Sequence, residues 1–178
     1  GVEQYLLEVL QNNEAAVNVY RKAGFHVTRS FNYFRQDIDK ISLSQYKLPE
    51  GFSVQEIEPV FSNHMMQMWD FHCSWQNSPE AIERNAENFK CLALFSEKYI
   101  AGYCIIDPET GDIPQVAIAR EYRRQHLGTV LLREAIKHNR YGSVQVINTD
   151  ANCIAMTAFL ESAGIPLKGV QYEMMRDV

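Results

Sequence analysis

A basic cluster stands where an apolar run gives way to an amphipathic segment. The cluster comprises Arg120, Arg123, Arg124, Gln125, His126 and Gly128. The apolar run, residues 113–119 with Gln115 as its only strongly polar member, predicts a buried strand, and residues 127–138 predict a helix. The first amides of a helix lack internal partners and favour negative charge, and a glycine lets a ligand approach the backbone. We therefore predict a phosphate or pyrophosphate site, with an ordinary turn carrying a solvated basic cluster as an equal alternative.

Three other side chains are candidates for proton transfer: Asp112 and Glu121 near the ends of the central strand, and His72 in a loop. A lone surface carboxylate or histidine is usually only solvated, so none is assigned. The four cysteines have no C-x-x-C spacing and no paired histidines, which gives no support for a metal site. They are Cys73, Cys91, Cys104 and Cys153.

Composition limits the classes of function. The chain has 178 residues, of which 46% are hydrophobic and 22% charged, as in ordinary globular proteins. A formal net charge of −5 argues against a nucleic-acid partner. No apolar run is long enough to suggest a membrane span, and no signal peptide is apparent. We expect a cytoplasmic protein with reduced cysteines.

The elements around the basic cluster follow a recognisable order. From residue 52 onward the pattern predicts β-α-α-β-β-β-α-β-α-β. The predicted segments are 52–57, 59–71, 79–89, 91–95, 99–106, 113–119, 127–138, 143–147, 153–163 and 170–175.

An earlier block repeats part of this order. Residues 5–10 predict a strand, residues 14–23 a helix ended by Gly24, and residues 25–38 one or two strands. Setting residue 24 against residue 164 brings this block onto the last strand, helix and strand. Residues 40–51, with Pro49, predict a linker.

Two segments resemble the GNAT N-acetyltransferases. Residues 123–129 (RRQHLGT) resemble their acyl-CoA pyrophosphate loop, Arg/Gln-x-x-Gly-x-Gly/Ala, with His126 in place of the first glycine. Residues 7–25 resemble the family's C-terminal strand-helix-strand, with Asn13, Ala16, Tyr20, Gly24 and Phe25 at the usual spacing. The resemblance implies an α/β (α+β) acyl-CoA N-acyltransferase fold, a mixed central sheet flanked by helices. It also implies a tandem protein: 1–39 as the remnant of a first copy, 40–51 as linker and 52–178 as a complete copy.

The family resemblance implies transfer of an acetyl group from acetyl-CoA to a primary amine of a small molecule or peptide. The expected cofactor-binding residues are Val116, Ala117, Ile118, Arg123, Arg124, Gln125, His126, Leu127, Gly128, Thr129, Asn152, Ala155 and Phe159. Plain helix core is an alternative for Ala155 and Phe159, and a helix N-cap is an alternative for Asn152.

The resemblance leaves the catalytic acid unassigned. Many family members carry a tyrosine on the last helix, and that position falls on Leu160 or Phe159, neither of which has a hydroxyl. The first block has Tyr20 there, and Tyr172 is a substitute whose simpler interpretation is a strand aromatic. A non-catalytic acyl-CoA-binding or structural domain is therefore the alternative function.

Two further expectations concern contacts. Trp69, Phe71 and Trp75 are expected to wall the acceptor site, unless two of them are core. The apolar first block is expected to pack on the complete copy or on a second chain, as in a homodimer.

Overall fold

The computed structural model describes residues 1 and 3–178, and within them the chain forms two four-stranded sheets and five α-helices. In chain order the strands are β1 (Gln4–Leu10), β2 (His26–Asp37), β3 (Phe52–Ile57), β4 (Lys90–Ser96), β5 (Tyr99–Ile106), β6 (Gln115–Ile118), β7 (Ser143–Asp150) and β8 (Leu167–Asp177). The helices are α1 (Glu14–Lys22), α2 (Asn63–Met66), α3 (Pro79–Glu83), α4 (Leu127–Ile136) and α5 (Ile154–Ser162).

One sheet has the order β3-β4-β5-β6 and is built from consecutive antiparallel neighbours. Its inner face packs against α4, whose buried residues include Leu127, Leu131 and Leu132. Fully buried Leu94 and Ile106 belong to the same core. This packing fixes where the N-terminus of α4 lies relative to the end of β6.

The other sheet has the order β1-β8-β2-β7 and joins the two ends of the chain. β2 lies between β7 and β8 and pairs antiparallel with both. Phe31 and Phe34 of β2 are fully buried there. The first block therefore packs on the rest of the chain, as expected from its apolar strands.

The two strand-helix-strand units exchange their second strands. The first unit is β1-α1-β2 and the second is β7-α5-β8. β1 pairs with β8, with Leu10 opposite Gln171, and β7 pairs with β2, with Asp150 opposite Phe31. Each unit thus completes the other, and an approximate two-fold axis passes between β2 and β8. The helices of both units end at a glycine in the left-handed region, Gly24 and Gly164.

Several predicted boundaries were wrong. β6 is shorter than residues 113–119, and α4 ends at Ile136 rather than 138. The helices expected over 59–71 and 79–89 shrink to α2 and α3, with 3-10 turns beside them. One reason is that Ser62 is extended and its side chain accepts a hydrogen bond from the Met65 N–H, so the first of these helices begins only at Asn63.

The α+β fold class is confirmed, but the strands of the expected central sheet form two four-stranded sheets. The chain just before β6 meets β7 at a parallel bridge between Asp112 and Gln145, and β6 and β7 belong to different sheets. The divisions 1–39, 40–51 and 52–178 stay a prediction. Within residues 1 and 3–178, no helix combines the length and apolar character needed to cross a membrane.

Candidate functional site

A gap opens between β6 and β7. The two strands are joined at Asp112, where the Ile113 N–H donates to the Gln145 carbonyl (2.9 Å) and the Gln145 N–H to the Gly111 carbonyl (3.0 Å). Beyond this point they diverge, and a cavity of about 710 Å³ lies between them. Its walls include Val116 on one side and Val146 on the other.

Along β6, the backbone N–H and C=O groups of every second residue point toward this cavity. The Ala119 N–H donates to the Ala101 carbonyl on β5 (2.9 Å). Because the direction alternates along a strand, the N–H groups of Val116 and Ile118 point away from β5, into the gap. The carbonyl of Ile118 accepts a hydrogen bond from Arg123 Nε (2.8 Å), so this oxygen is already engaged.

The basic loop, residues 123–129, forms the mouth of the cavity at the start of α4. His126 is the N-cap, with φ 60° and ψ 8°, and its side chain makes no capping hydrogen bond. Arg124 also has a positive φ, of 62°. His126 thus adopts a left-handed conformation, which the tolerance of histidine for unusual angles allows. The first amides of α4 have no acceptor within the helix and face solvent at the cavity mouth.

Gly128 makes room for a close approach. A Cβ added there would lie 3.2 Å from the Phe159 ring and 3.7 Å from Ile118 Cγ1. Any side chain at this position would therefore fill the cradle between α4, α5 and β6. This space and the free amides fit an extended ligand with a phosphate group at the mouth.

The Arg123 side chain makes hydrogen bonds that stabilise the loop, so it is not a free cation at the cavity mouth. Its Nη1 donates to Asp70 Oδ1 (2.9 Å) and its Nη2 to the Met68 carbonyl (2.9 Å). Together with the bond to Ile118, the guanidinium ties the loop of residues 67–78 to the end of β6. The exposed cationic side chain left at the mouth is that of Arg124.

Most of the predicted cofactor residues come together around the cavity. Its lining includes Val116, Ala117, Ile118, Arg123, Arg124, His126, Leu127, Gly128, Thr129, Ala155 and Phe159. Gln125 and Asn152 lie outside the lining. The Gln125 side chain turns back toward the Glu121 carbonyl (3.5 Å), and the Asn152 N–H donates to Asp150 Oδ1 (2.8 Å). Cofactor binding by these residues stays a prediction.

The far end of the cavity is aromatic. Trp69 and Phe71 line it, together with Cys73 and Tyr103. Trp75, the third aromatic expected there, is 46% exposed and donates instead to Glu8 Oε2 on β1 (3.1 Å). Other residues of the same loop are also held by the sheet that contains β1 and β2.

A chain of hydrogen bonds crosses this end. Trp69 Nε1 donates to the Tyr103 hydroxyl, which donates to Gln115 Oε1 (2.6 Å), and Gln115 Nε2 donates to the Asn77 carbonyl (2.6 Å). Burial raises the pKa of Tyr103 well above its ordinary value, so its hydroxyl stays protonated. Sequence reasoning missed this network, although a lone glutamine in an apolar run was a signal for it.

The three candidates for a base lie outside the main cavity. Glu121 and His72 are not among its lining residues, and Asp112 lines an adjoining cavity of about 200 Å³. Asp112 Oδ1 is buried without a hydrogen-bond partner among the described residues. Burial raises the pKa of this carboxyl, and nearby Asp107 adds to the shift.

The two candidate positions for an acid differ in environment. Phe159 lines the cavity, whereas Leu160 is fully buried in the main core. Tyr172 and Tyr20 pack on a separate small cluster that includes Val9. Within the described residues, histidines, cysteines and carboxylates form no group that could hold a metal ion.

The chain belongs to the acetyltransferase (GNAT) family. The family model, described as "Acetyltransferase (GNAT) family", matches residues 56–164. No curated protein matches the chain.

Solved structures of the same fold match nearly the whole chain. A GCN5-related N-acetyltransferase from Sphaerobacter thermophilus has a TM-score of 0.64 and 15% identity, covering 98% of this chain and 60% of its own. A tandem GNAT protein from the clavulanic acid biosynthesis pathway, without AcCoA, has a TM-score of 0.69 and 14% identity, covering 98% and 64%. A Drosophila protein has a TM-score of 0.70 and 14% identity, covering 99% and 61%. The chain thus spans less than two thirds of the length of these neighbours.

Proposed function

We propose that the protein transfers an acetyl group from acetyl-CoA to a primary amine of a small molecule or peptide. The observation that carries this proposal is the gap between β6 and β7, with the basic loop and the N-terminus of α4 at its mouth. Its volume of about 710 Å³ accommodates an extended thiol-bearing chain.

Each part of the gap has a role in this proposal. The amides at the start of α4 bind the pyrophosphate, and Gly128 leaves them open. The N–H groups of Val116 and Ile118 hold the pantetheine arm and polarise the acyl carbonyl. Bound acetyl-CoA supplies the acetyl group as a thioester.

The acceptor enters at the aromatic end in this proposal. Among the described lining residues the only carboxylate is Asp70, and it is paired with Arg123 at 2.9 Å. An ammonium ion would therefore find no free counter-ion there. The amine is expected to react in its neutral form, beside Trp69 and Tyr103.

A binding and turnover experiment tests the proposal. Acetyl-CoA should raise the melting temperature, and CoA thiol should appear when a panel of primary amines is added. An unchanged melting temperature at millimolar acetyl-CoA would contradict cofactor binding. Release of thiol only at the rate seen without protein would contradict catalysis.

A non-catalytic acyl-CoA-binding domain is the second candidate. It is favoured by Phe159 and Leu160, since neither can protonate a leaving thiolate. In that case acetyl-CoA would stabilise the protein, but no amine in the panel would be acetylated.

We also propose that the two strand-helix-strand units descend from two copies of one domain. The matching registers of the β1–β8 and β7–β2 pairs support this proposal. A longer chain that carries a full first copy should bind acetyl-CoA with a stoichiometry of two by calorimetry. A stoichiometry of one would leave the first copy without a working site.

A further inference from the structure

Residues 41–48 of the linker form a strap across α4. Ile41, Leu43 and Leu48 pack against the main hydrophobic core, which anchors the strap at both ends. Between them Arg133, on the outer face of α4, donates to the carbonyls of Ser44 and Tyr46, each at 3.2 Å. The path of this segment is therefore fixed by the helix that begins at the basic loop.

The strap brings one aromatic ring onto the basic loop. The rings of Tyr46 and His126 are stacked, with centroids 3.8 Å apart and planes inclined by 13°. Tyr46 remains 37% exposed, so its ring rests on the histidine at the protein surface. This contact joins the linker to the residue that caps the N-terminus of α4.

The backbone of His126 benefits from such support. Its φ of 60° lies in the left-handed region, which is costly for residues other than glycine. Its own side chain makes no capping hydrogen bond that would stabilise this conformation locally. The stacked ring holds the side chain, and through it the backbone, in place.

We propose that Tyr46 is a positioning residue for the anion site. By holding His126 in the left-handed conformation, it keeps the N–H groups of Leu127, Gly128 and Thr129 directed at a bound diphosphate. This inference rests on the proposed function, because the diphosphate is that of acetyl-CoA. The linker is then a working part of the cofactor site as well as a connection.

A double-mutant cycle tests the inference. Calorimetry with acetyl-CoA should show that Tyr46→Ala weakens affinity by roughly two- to tenfold, the range for one aromatic pair. Tyr46→Phe should bind like the wild type, because the stack survives. In a His126→Gly background, where the left-handed conformation costs little, Tyr46→Ala should have no further effect. Tyr99→Ala, at a tyrosine 62% exposed on the far hairpin, is the matched control.

Failure of the inference and failure of the proposed function give different results. Equal losses from Tyr46→Ala in both backgrounds, or no loss in either, would overturn the inference. If the wild type failed to bind acetyl-CoA, the proposed function would fail, and the same cycle would be read from melting temperatures. Tyr46→Ala should then lower the melting temperature with His126 present and not in the His126→Gly background; additive shifts would overturn the inference.

Discussion

Gly128 is the residue on which access to the anion site depends most directly. Replacing it with valine should abolish binding of acetyl-CoA, because the added Cβ would lie 3.2 Å from the Phe159 ring and the branched methyls would cover the first amides of α4. Calorimetry should show a loss of at least about a hundredfold, which corresponds to roughly 3 kcal/mol.

The control for this variant is Gly169→Ala on β8. A Cβ there would meet only Leu10 Cδ2, at an ordinary 3.8 Å, and Gly169 does not line the gap. Its affinity should be unchanged. Normal binding by Gly128→Val would show that the ligand does not approach the start of α4.

The pairing of Asp70 with Arg123 determines how the reaction should respond to pH. Since the proposed acceptor end has no free carboxylate among its described residues, we expect the proposed amine substrate to bind without its proton. We expect kcat/KM to rise about tenfold per pH unit up to the pKa of the free amine. Steady-state rates with two amines of different basicity measure this.

The two profiles should level off at the two different amine pKa values. If both profiles instead levelled off at the same pH, the rate would depend on a titrating group of the enzyme. Asp112, whose pKa is raised by burial, would then be the first residue to replace.

The residue types in the sequence predicted where the site lies, but they did not predict its hydrogen bonds. The basic residues and Gly128 marked the loop, and the tolerance of histidine for unusual angles explained His126. The bonds of Arg123 to Asp70 and Met68 could not be predicted, because they join positions far apart in the sequence. No local pattern says whether an arginine is free or engaged.

At the scale of elements, an ion pair links β2, β8 and the loop of residues 67–78. Glu173 Oε2 accepts from Arg29 Nη2 at 2.7 Å, and its other oxygen accepts from Thr28 Oγ1 at 2.8 Å. Burial raises the pKa of Glu173, but the hydrogen bonds from Arg29 and Thr28 outweigh it and lower the pKa below its usual value.

Glu173→Gln should therefore destabilise the protein, by roughly 1–3 kcal/mol near neutral pH. Because the folded-state pKa is lowered, the contribution is present above about pH 4.5 and is lost as the pH falls through the folded-state value. The difference in melting temperature from the wild type should shrink on acidification. Glu161→Gln, at an exposed position of α5, should show no such trend. A difference that stayed constant with pH would argue against the ion pair.

The order of the elements was predictable, but their lengths were less so. Periodicity found α1, α4 and α5, which are nine or ten residues long. It overestimated the helix over residues 59–71, where Ser62 caps a shorter helix and tertiary partners bond to Met68 and Trp69. A tertiary partner decides such segments, and its position is not contained in the local sequence.

At the scale of the whole molecule, the exchanged strands should make the two ends inseparable. Cutting the chain between Glu50 and Gly51, at an engineered protease site, should leave one folded particle. β2 would still be held between β7 and β8, and β1 would still pair with β8. Size-exclusion chromatography of the cut protein should give a single peak containing both fragments.

Separation of the fragments in native buffer would contradict this account. Adding denaturant before the column is the matched control and should release the shorter piece. The exchange itself was beyond the reach of sequence patterns. Alternation identifies a strand and its buried face, but it does not say which strand lies beside it.

The exchange of strands also determines when the first block can fold during synthesis. On the ribosome β1 and β2 are made before β7 and β8, yet these two later strands are the neighbours of β2, and β8 is the partner of β1. At the usual pace of translation the apolar side chains of β2, Phe31 and Phe34 among them, wait on the order of ten seconds for β7 and β8. During that interval the unpaired strands and their apolar side chains are exposed, which favours aggregation. The first block is therefore synthesised before β7 and β8 but can complete its sheet only after both have been made.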